Sequence, residues 1–199
     1  FVWKESLVLI TCGTTTLVNA AEYLIKKIPQ EHRKAFFFQR KNEYFPHLQK
    51  TNFYEDVKAI KNSVSGSAFR LGKADQHHMF LFHEDALDSA GLESTLEVLM
   101  YDLQGEAQKV FNAENVSREE LRLRTRVDQI LPGFQVDDFC FEPKGYSLNA
   151  IKDSFYFTIH VTPQSESPYV SFETNFANSK QVHEALGSVL EVFRPKNFD

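Results

Sequence analysis

A thiol, a hydroxyl and an imidazole sit where this chain's predicted strands end or turn. Cys12 closes the apolar run Ser6-Leu7-Val8-Leu9-Ile10-Thr11 and precedes Gly13-Thr14-Thr15-Thr16, which leads into an amphipathic segment. That pattern places Cys12 where a strand meets the N-terminus of a helix, whose N–H groups and dipole favour a thiolate. Far downstream, Gly145-Tyr146-Ser147-Leu148-Asn149 and Thr158-Ile159-His160-Val161-Thr162-Pro163 supply Ser147 and His160. Such groups do nucleophile or proton-transfer chemistry, without specifying the reaction. A third group is acidic. Glu93 and Glu97 stand at i and i+4 on a predicted helix and so share a face. Glu173 shares a strand face with Ser171. Taken singly, each has an ordinary reading: a small buried cysteine, a hydrogen-bonded histidine, a solvated acidic helix face.

The elements that must position these residues follow from hydrophobic period and turn chemistry. Residues 5–12 read as a buried strand. Leu17, Ala21, Leu24 and Ile28 give a helix over about 14–28. A strand is predicted at 35–39, a helix at 51–64, and a hairpin from 67–72 and 78–83. Leu92, Leu96, Leu99 and Leu103 make a helical stripe over 92–103. Ser117-Arg118-Glu119-Glu120 resembles a capping box, so a short helix starts there. Strands follow at 134–142, 145–151, 154–162 and 168–175, then a helix at 178–193. In 154–162, Phe155, Phe157, Ile159 and Val161 share one face; Thr158, His160 and Thr162 take the other. Short turns between strands favour antiparallel pairing. The expected fold is α+β: a four-layer αββα sandwich of two mainly antiparallel sheets, with helices on the outer faces. It is expected to form a single domain over 1–199, incomplete at both ends.

With 199 residues the chain can build one sizeable core or a tightly fused pair of halves, and its net charge of -5 argues against a nucleic-acid partner. Two cysteines cannot make a disulfide framework, which favours a reducing, cytoplasmic setting. No apolar run approaches bilayer length, so no membrane partner is expected. No metal is expected either. The chain opens on Phe1-Val2-Trp3 without an initiator Met, as a fragment or processed product would.

Several blocks occur together in order: Thr11-Cys12-Gly13-Thr14-Thr15, Phe37-Phe38-Gln39-Arg40-Lys41-Asn42, Thr95-Leu96-Glu97-Val98-Leu99-Met100, Gly145-Tyr146-Ser147-Leu148-Asn149, Thr158-Ile159-His160-Val161-Thr162-Pro163 and Tyr169-Val170-Ser171-Phe172-Glu173-Thr174-Asn175. In this the chain resembles eukaryotic S-adenosylmethionine decarboxylase, the pyruvoyl enzyme of polyamine synthesis, over essentially its whole length. The resemblance implies a proenzyme that cuts itself upstream of Phe1. The serine after the cut becomes a pyruvoyl group, a serine not present in this chain. That carbonyl forms a Schiff base with S-adenosylmethionine and accepts the electron pair as carbon dioxide leaves.

The resemblance also implies roles. Cys12 would reprotonate the α-carbon. Ser147 and His160 would serve self-cleavage, His160 removing a proton at the ester step. Phe141 would stack on the adenine, although alone it would read as core. Gln164 stands where the family usually has a glutamate gripping the ribose hydroxyls, which loses a charge-assisted hydrogen bond. Glu93, Thr95, Glu97 and Glu173 match a buried putrescine site, and Ile10 replaces a lysine common there. The partners implied are the cognate β chain of the same proenzyme and a homodimer or heterodimer mate. An alternative reading is a catalytically dead paralogue acting as regulatory subunit of an active decarboxylase. Gln164 fits that reading; the joint presence of Cys12, Ser147 and His160 fits the active enzyme. A Cys–His hydrolase needs no missing cofactor, but the chain carries no substrate signature for it.

Overall fold

In the computed structural model, residues 1–41, 46–75, 77–85, 94–162, 168–176 and 178–199 are described. The chain divides into two units, one of Phe1–Ile10 with Glu93–Asp199 and one of Thr11–Leu92.

The Thr11–Leu92 unit holds helices α1 (Leu17–Lys27) and α2 (Phe53–Ile60) and strands β1 (Phe37–Lys41), β2 (Gly66–Leu71) and β3 (Met79–Glu84). The strands form an antiparallel sheet in the order β1-β3-β2. Val18, Ala21 and Ile25 from α1 and Phe53, Val57 and Ile60 from α2 pack with Phe38 and Phe82 of the sheet. Asn52 starts α2 with a full capping box to Glu55. Gly66 is required by packing: a Cβ there would lie 2.3 Å from the His83 carbonyl oxygen and 2.4 Å from Phe82 Cζ.

The other unit is a sheet of β4 (Leu96–Leu103), β5 (Gln135–Cys140), β6 (Tyr146–Lys152), β7 (Phe155–Thr162), β8 (Tyr169–Thr174) and β9 (Pro195–Phe198), in the order β5-β6-β7-β8-β4-β9, all antiparallel. Helices α3 (Gly105–Asn112), α4 (Arg118–Thr125) and α5 (Ser179–Phe193) cover one face. That face presents Leu148, Phe157, Ile159, Phe172, Val98 and Met100 to Val110, Phe111, Leu121, Val189 and Phe193. The fold is thus α+β with two antiparallel sheets, as expected from the sequence. Ser117 caps α4 by accepting from the Glu120 N–H. The Glu120 carboxylate accepts from Arg124.

Two expectations fail. Residues 5–12 do not form a buried strand. Phe1 and Val8 exchange backbone hydrogen bonds, Trp3 N–H donates to Ser6, and Val2 makes a lone bridge with Leu7, so the segment folds back on itself. Leu7 and Leu9 stay largely exposed. The expected helix over 92–103 is strand β4 across its described part. Pairing with β8 and β9 outweighs helix propensity, and Leu99 is buried on the face opposite Val98 and Met100. Leucines drawn from both faces of a doubly buried strand mimicked a helical stripe. Strand β9 went unpredicted. Arg194, in the left-handed conformation (φ 44°), ends α5 and turns the chain onto β4.

Candidate active site

The sheet face away from the helices carries a polar row. Ser147, His160 and Ser171 are direct cross-strand neighbours on β6, β7 and β8. The next row is Asn149, Thr158, Glu173 and Glu97. The period-2 reading of β7 therefore holds. Its polar face is nevertheless buried: His160 is 7% and Thr158 1% exposed.

Ser147 Oγ lies 3.1 Å from His160 Nδ1, and Thr158 Oγ1 lies 3.1 Å from His160 Nε2. Thr158 also meets two groups that can only accept, the Leu148 carbonyl at 3.0 Å and Asn149 Oδ1 at 2.9 Å. When its single proton goes to one of these, the threonine oxygen accepts from His160. That arrangement puts the ring proton on Nε2 and leaves Nδ1 to accept from the Ser147 hydroxyl; donor and acceptor roles at the ring follow the tautomer. In that tautomer Nδ1 is aimed as a base at a serine oxygen. Thr158 and Asn149 were not singled out from the sequence, although strand alternation already put Thr158 beside His160.

Glu97 and Glu173 face each other directly across β4 and β8, not along a helix. Glu97 thus lies on a strand, and the carboxylate facing it is that of Glu173. Glu173 also accepts a 2.7 Å hydrogen bond from Tyr156. Tyr156 packs its ring on Phe1 at 4.6 Å and on Trp3 at 5.9 Å, and the Trp3 indole donates to the Asp153 carbonyl. The first residues of the chain are thus pinned to the polar face. Thr95 is exposed just ahead of β4. Glu93 and Gln164 lie outside the described residues.

Cys12 is exposed and belongs to the other unit. The expected helix N-terminus is not at Cys12. Helix α1 begins at Leu17 with Thr16 as N-cap. Gly13 takes a left-handed turn (φ 73°) first, and Thr15 and Asn19 bond Thr11 and Thr16 through side chains. Cys12 therefore stands five residues ahead of the first helical residue, not on the first turn.

Phe141 follows β5, with its N–H on the Gly145 carbonyl, and is 47% exposed. Its exposure overturns the ordinary core reading. On the helix side of β5, buried Asp138 accepts from Arg122 Nε at 2.9 Å and Nη2 at 2.6 Å and from Tyr146 at 2.7 Å. Burial raises the Asp138 carboxyl, but the hydrogen bonds from Arg122 and Tyr146, with the Arg122 charge, hold it below its ordinary value. Tyr146 is pushed far up, first by burial and then by donating to Asp138. Burial, with Asp138 adding to it, raises the Cys140 thiol, which is the wrong direction for a nucleophile.

Comparison with known proteins gives this chain a family and a matching fold. A family model described as adenosylmethionine decarboxylase matches residues 1–199. The S-adenosylmethionine decarboxylase proenzyme of Dictyostelium discoideum is 35% identical over 214 residues, covering all of this chain and 54% of that protein. The Leishmania donovani proenzyme is 33% identical over 213 residues, covering all of this chain and 56% of that protein. The crystal structure of Trypanosoma brucei AdoMetDC-delta26 monomer superposes with a TM-score of 0.74 at 28% identity, over all of this chain and 76% of that one. The chain belongs to the eukaryotic S-adenosylmethionine decarboxylase family. It spans about half the length of the curated relatives it matches. Among the described residues no helix is long and apolar enough to cross a membrane.

Proposed function

We propose that this chain is the α-chain portion of an active, pyruvoyl-dependent S-adenosylmethionine decarboxylase, made by self-cleavage upstream of Phe1 and partnered by its cognate β chain. The observation that supports the reading is the Ser147–His160 contact, 3.1 Å between Oγ and Nδ1, with Thr158 on the other ring nitrogen. A regulatory paralogue that neither cleaves nor decarboxylates has no chemical need for a base aimed at a serine.

The residues fit the group. The polar face offers a hydroxyl and an imidazole, and the Phe1–Tyr156 contact holds the start of the chain on that same face. When present, the pyruvoyl carbonyl supplies the electron sink for loss of carbon dioxide. The chain's own residues do the rest. His160 Nδ1 takes a proton during processing, and Ser147 Oγ holds the reacting oxygen in place. Phe141 offers a ring face to the adenine. Cys12 returns a proton to the substrate α-carbon, and its exposure is compatible with that task. Glu97 and Glu173, with Glu93 and Thr95, offset the two ammonium groups of putrescine.

The test is intact-mass analysis of the complete gene product together with assay of released carbon dioxide. Active enzyme gives two chains, one bearing a pyruvoyl terminus, and turnover. Cys12→Ala should still cleave but lose most turnover. A single uncleaved chain that binds and stimulates another decarboxylase would establish the regulatory reading instead.

A further inference from the structure

The free edge of the six-stranded sheet exposes two large aromatic rings. Among the described residues β5 pairs with β6 alone, and Phe139 and Phe141 lie at its end, 61% and 47% exposed. Their rings meet nearly edge to face, with centroids 4.9 Å apart and planes at 68°. Phe139 is also the direct cross-strand neighbour of Ser147, so it stands between the Phe141 ring and the Ser147–His160 pair.

Phe141 lies just past the end of β5, and its backbone N–H on the Gly145 carbonyl fixes the main chain but not the ring. The Phe139 ring restrains it, and a T-shaped contact covers at most one of its faces. An exposed phenylalanine would otherwise sample several rotamers, and ordering it would weaken binding by the entropy lost. We propose that Phe139 is a positioning residue for the nucleoside: it holds Phe141 edge to face, so that an open ring face is ready for the purine before it arrives. The inference rests on the reading of Phe141 as the adenine-stacking residue. Phe139 thereby joins Phe141 in serving the nucleoside.

The experiment uses the complete, self-processed protein with Phe139→Ala, Phe139→Leu, Phe139→Tyr and Phe141→Ala. KM and kcat are measured for S-adenosylmethionine, and Kd for 5′-methylthioadenosine by calorimetry. An aromatic pair of this kind corresponds to roughly threefold to tenfold in binding. Phe139→Ala should therefore raise KM and Kd by about that factor, with kcat within about twofold. Phe139→Tyr should restore both values, Phe139→Leu should fall between, and self-cleavage should proceed in all. If Phe141→Ala weakens nucleoside binding and Phe139→Ala does not, Phe139 has no positioning role, even if its thermal midpoint drops. If neither variant changes nucleoside binding, the stacking role of Phe141 fails, and this inference fails with it.

Discussion

Thr158→Val in the complete proenzyme removes one oxygen and almost no volume. The residue is 1% exposed, and its hydroxyl serves the Leu148 carbonyl, Asn149 Oδ1 and His160 Nε2. Valine suits a strand, so the backbone has no reason to change. Stability should fall by about 1–3 kcal/mol, the cost of leaving buried polar atoms unpaired. The effect on chemistry is separate. Without an acceptor at Nε2, the imidazole loses one hydrogen bond's preference, about 1 kcal/mol, for the tautomer that leaves Nδ1 open to Ser147. That corresponds to roughly fivefold in cleavage rate. The assay is a cleavage time course followed by intact mass, beside histidine ¹⁵N shifts that report which ring nitrogen carries the proton. Wild-type cleavage with an unchanged ¹⁵N pattern and a lowered thermal midpoint would refute the tautomer argument and leave Thr158 as packing.

Asp138→Asn breaks the charge pairing with Arg122 while keeping shape. It should cost about 2 kcal/mol at neutral pH, below the usual buried-pair figure because Arg122 keeps a third of its side chain exposed. The Asp138 carboxyl is depressed in the folded state, so its stabilisation is present above the ordinary carboxylate pKa and is lost as pH falls through the folded value. The wild-type advantage in thermal midpoint should therefore shrink below about pH 4; an advantage independent of pH would contradict this. Gly66→Ala should destabilise by roughly 2–3 kcal/mol in chemical denaturation, because the new methyl meets backbone and a buried ring that cannot yield. A neutral effect would mean β2 can shift away from β3. Glu173→Gln should weaken calorimetric putrescine binding to the complete protein about tenfold or more by removing one of the facing carboxylates. Equal affinity in both proteins would make the Glu97–Glu173 pair structural.

The sequence by itself determined the α+β class, the antiparallel run from β5 to β8, helices α1, α2 and α5, and the polar side of β7. These are set by period, by turns between neighbouring strands and by caps such as Asn52 and Ser117, all local signals. The pairing of Ser147 with His160 was implied by family resemblance, and the β6–β7 register placed the two side by side. Tertiary structure alone decided the rest. Strand β4 reads as a helix until β8 and β9 pair with its two edges. The apolar run before Cys12 reads as a core strand, yet it curls onto itself with Phe1 and Trp3 against Tyr156. Strand alternation put Thr158 on the His160 face without giving it a role, and Asn149, Tyr156 and Phe139 were not singled out from the sequence. Each acquires one only through a cross-strand neighbour, and register is a property of paired strands that one strand's side-chain pattern does not specify.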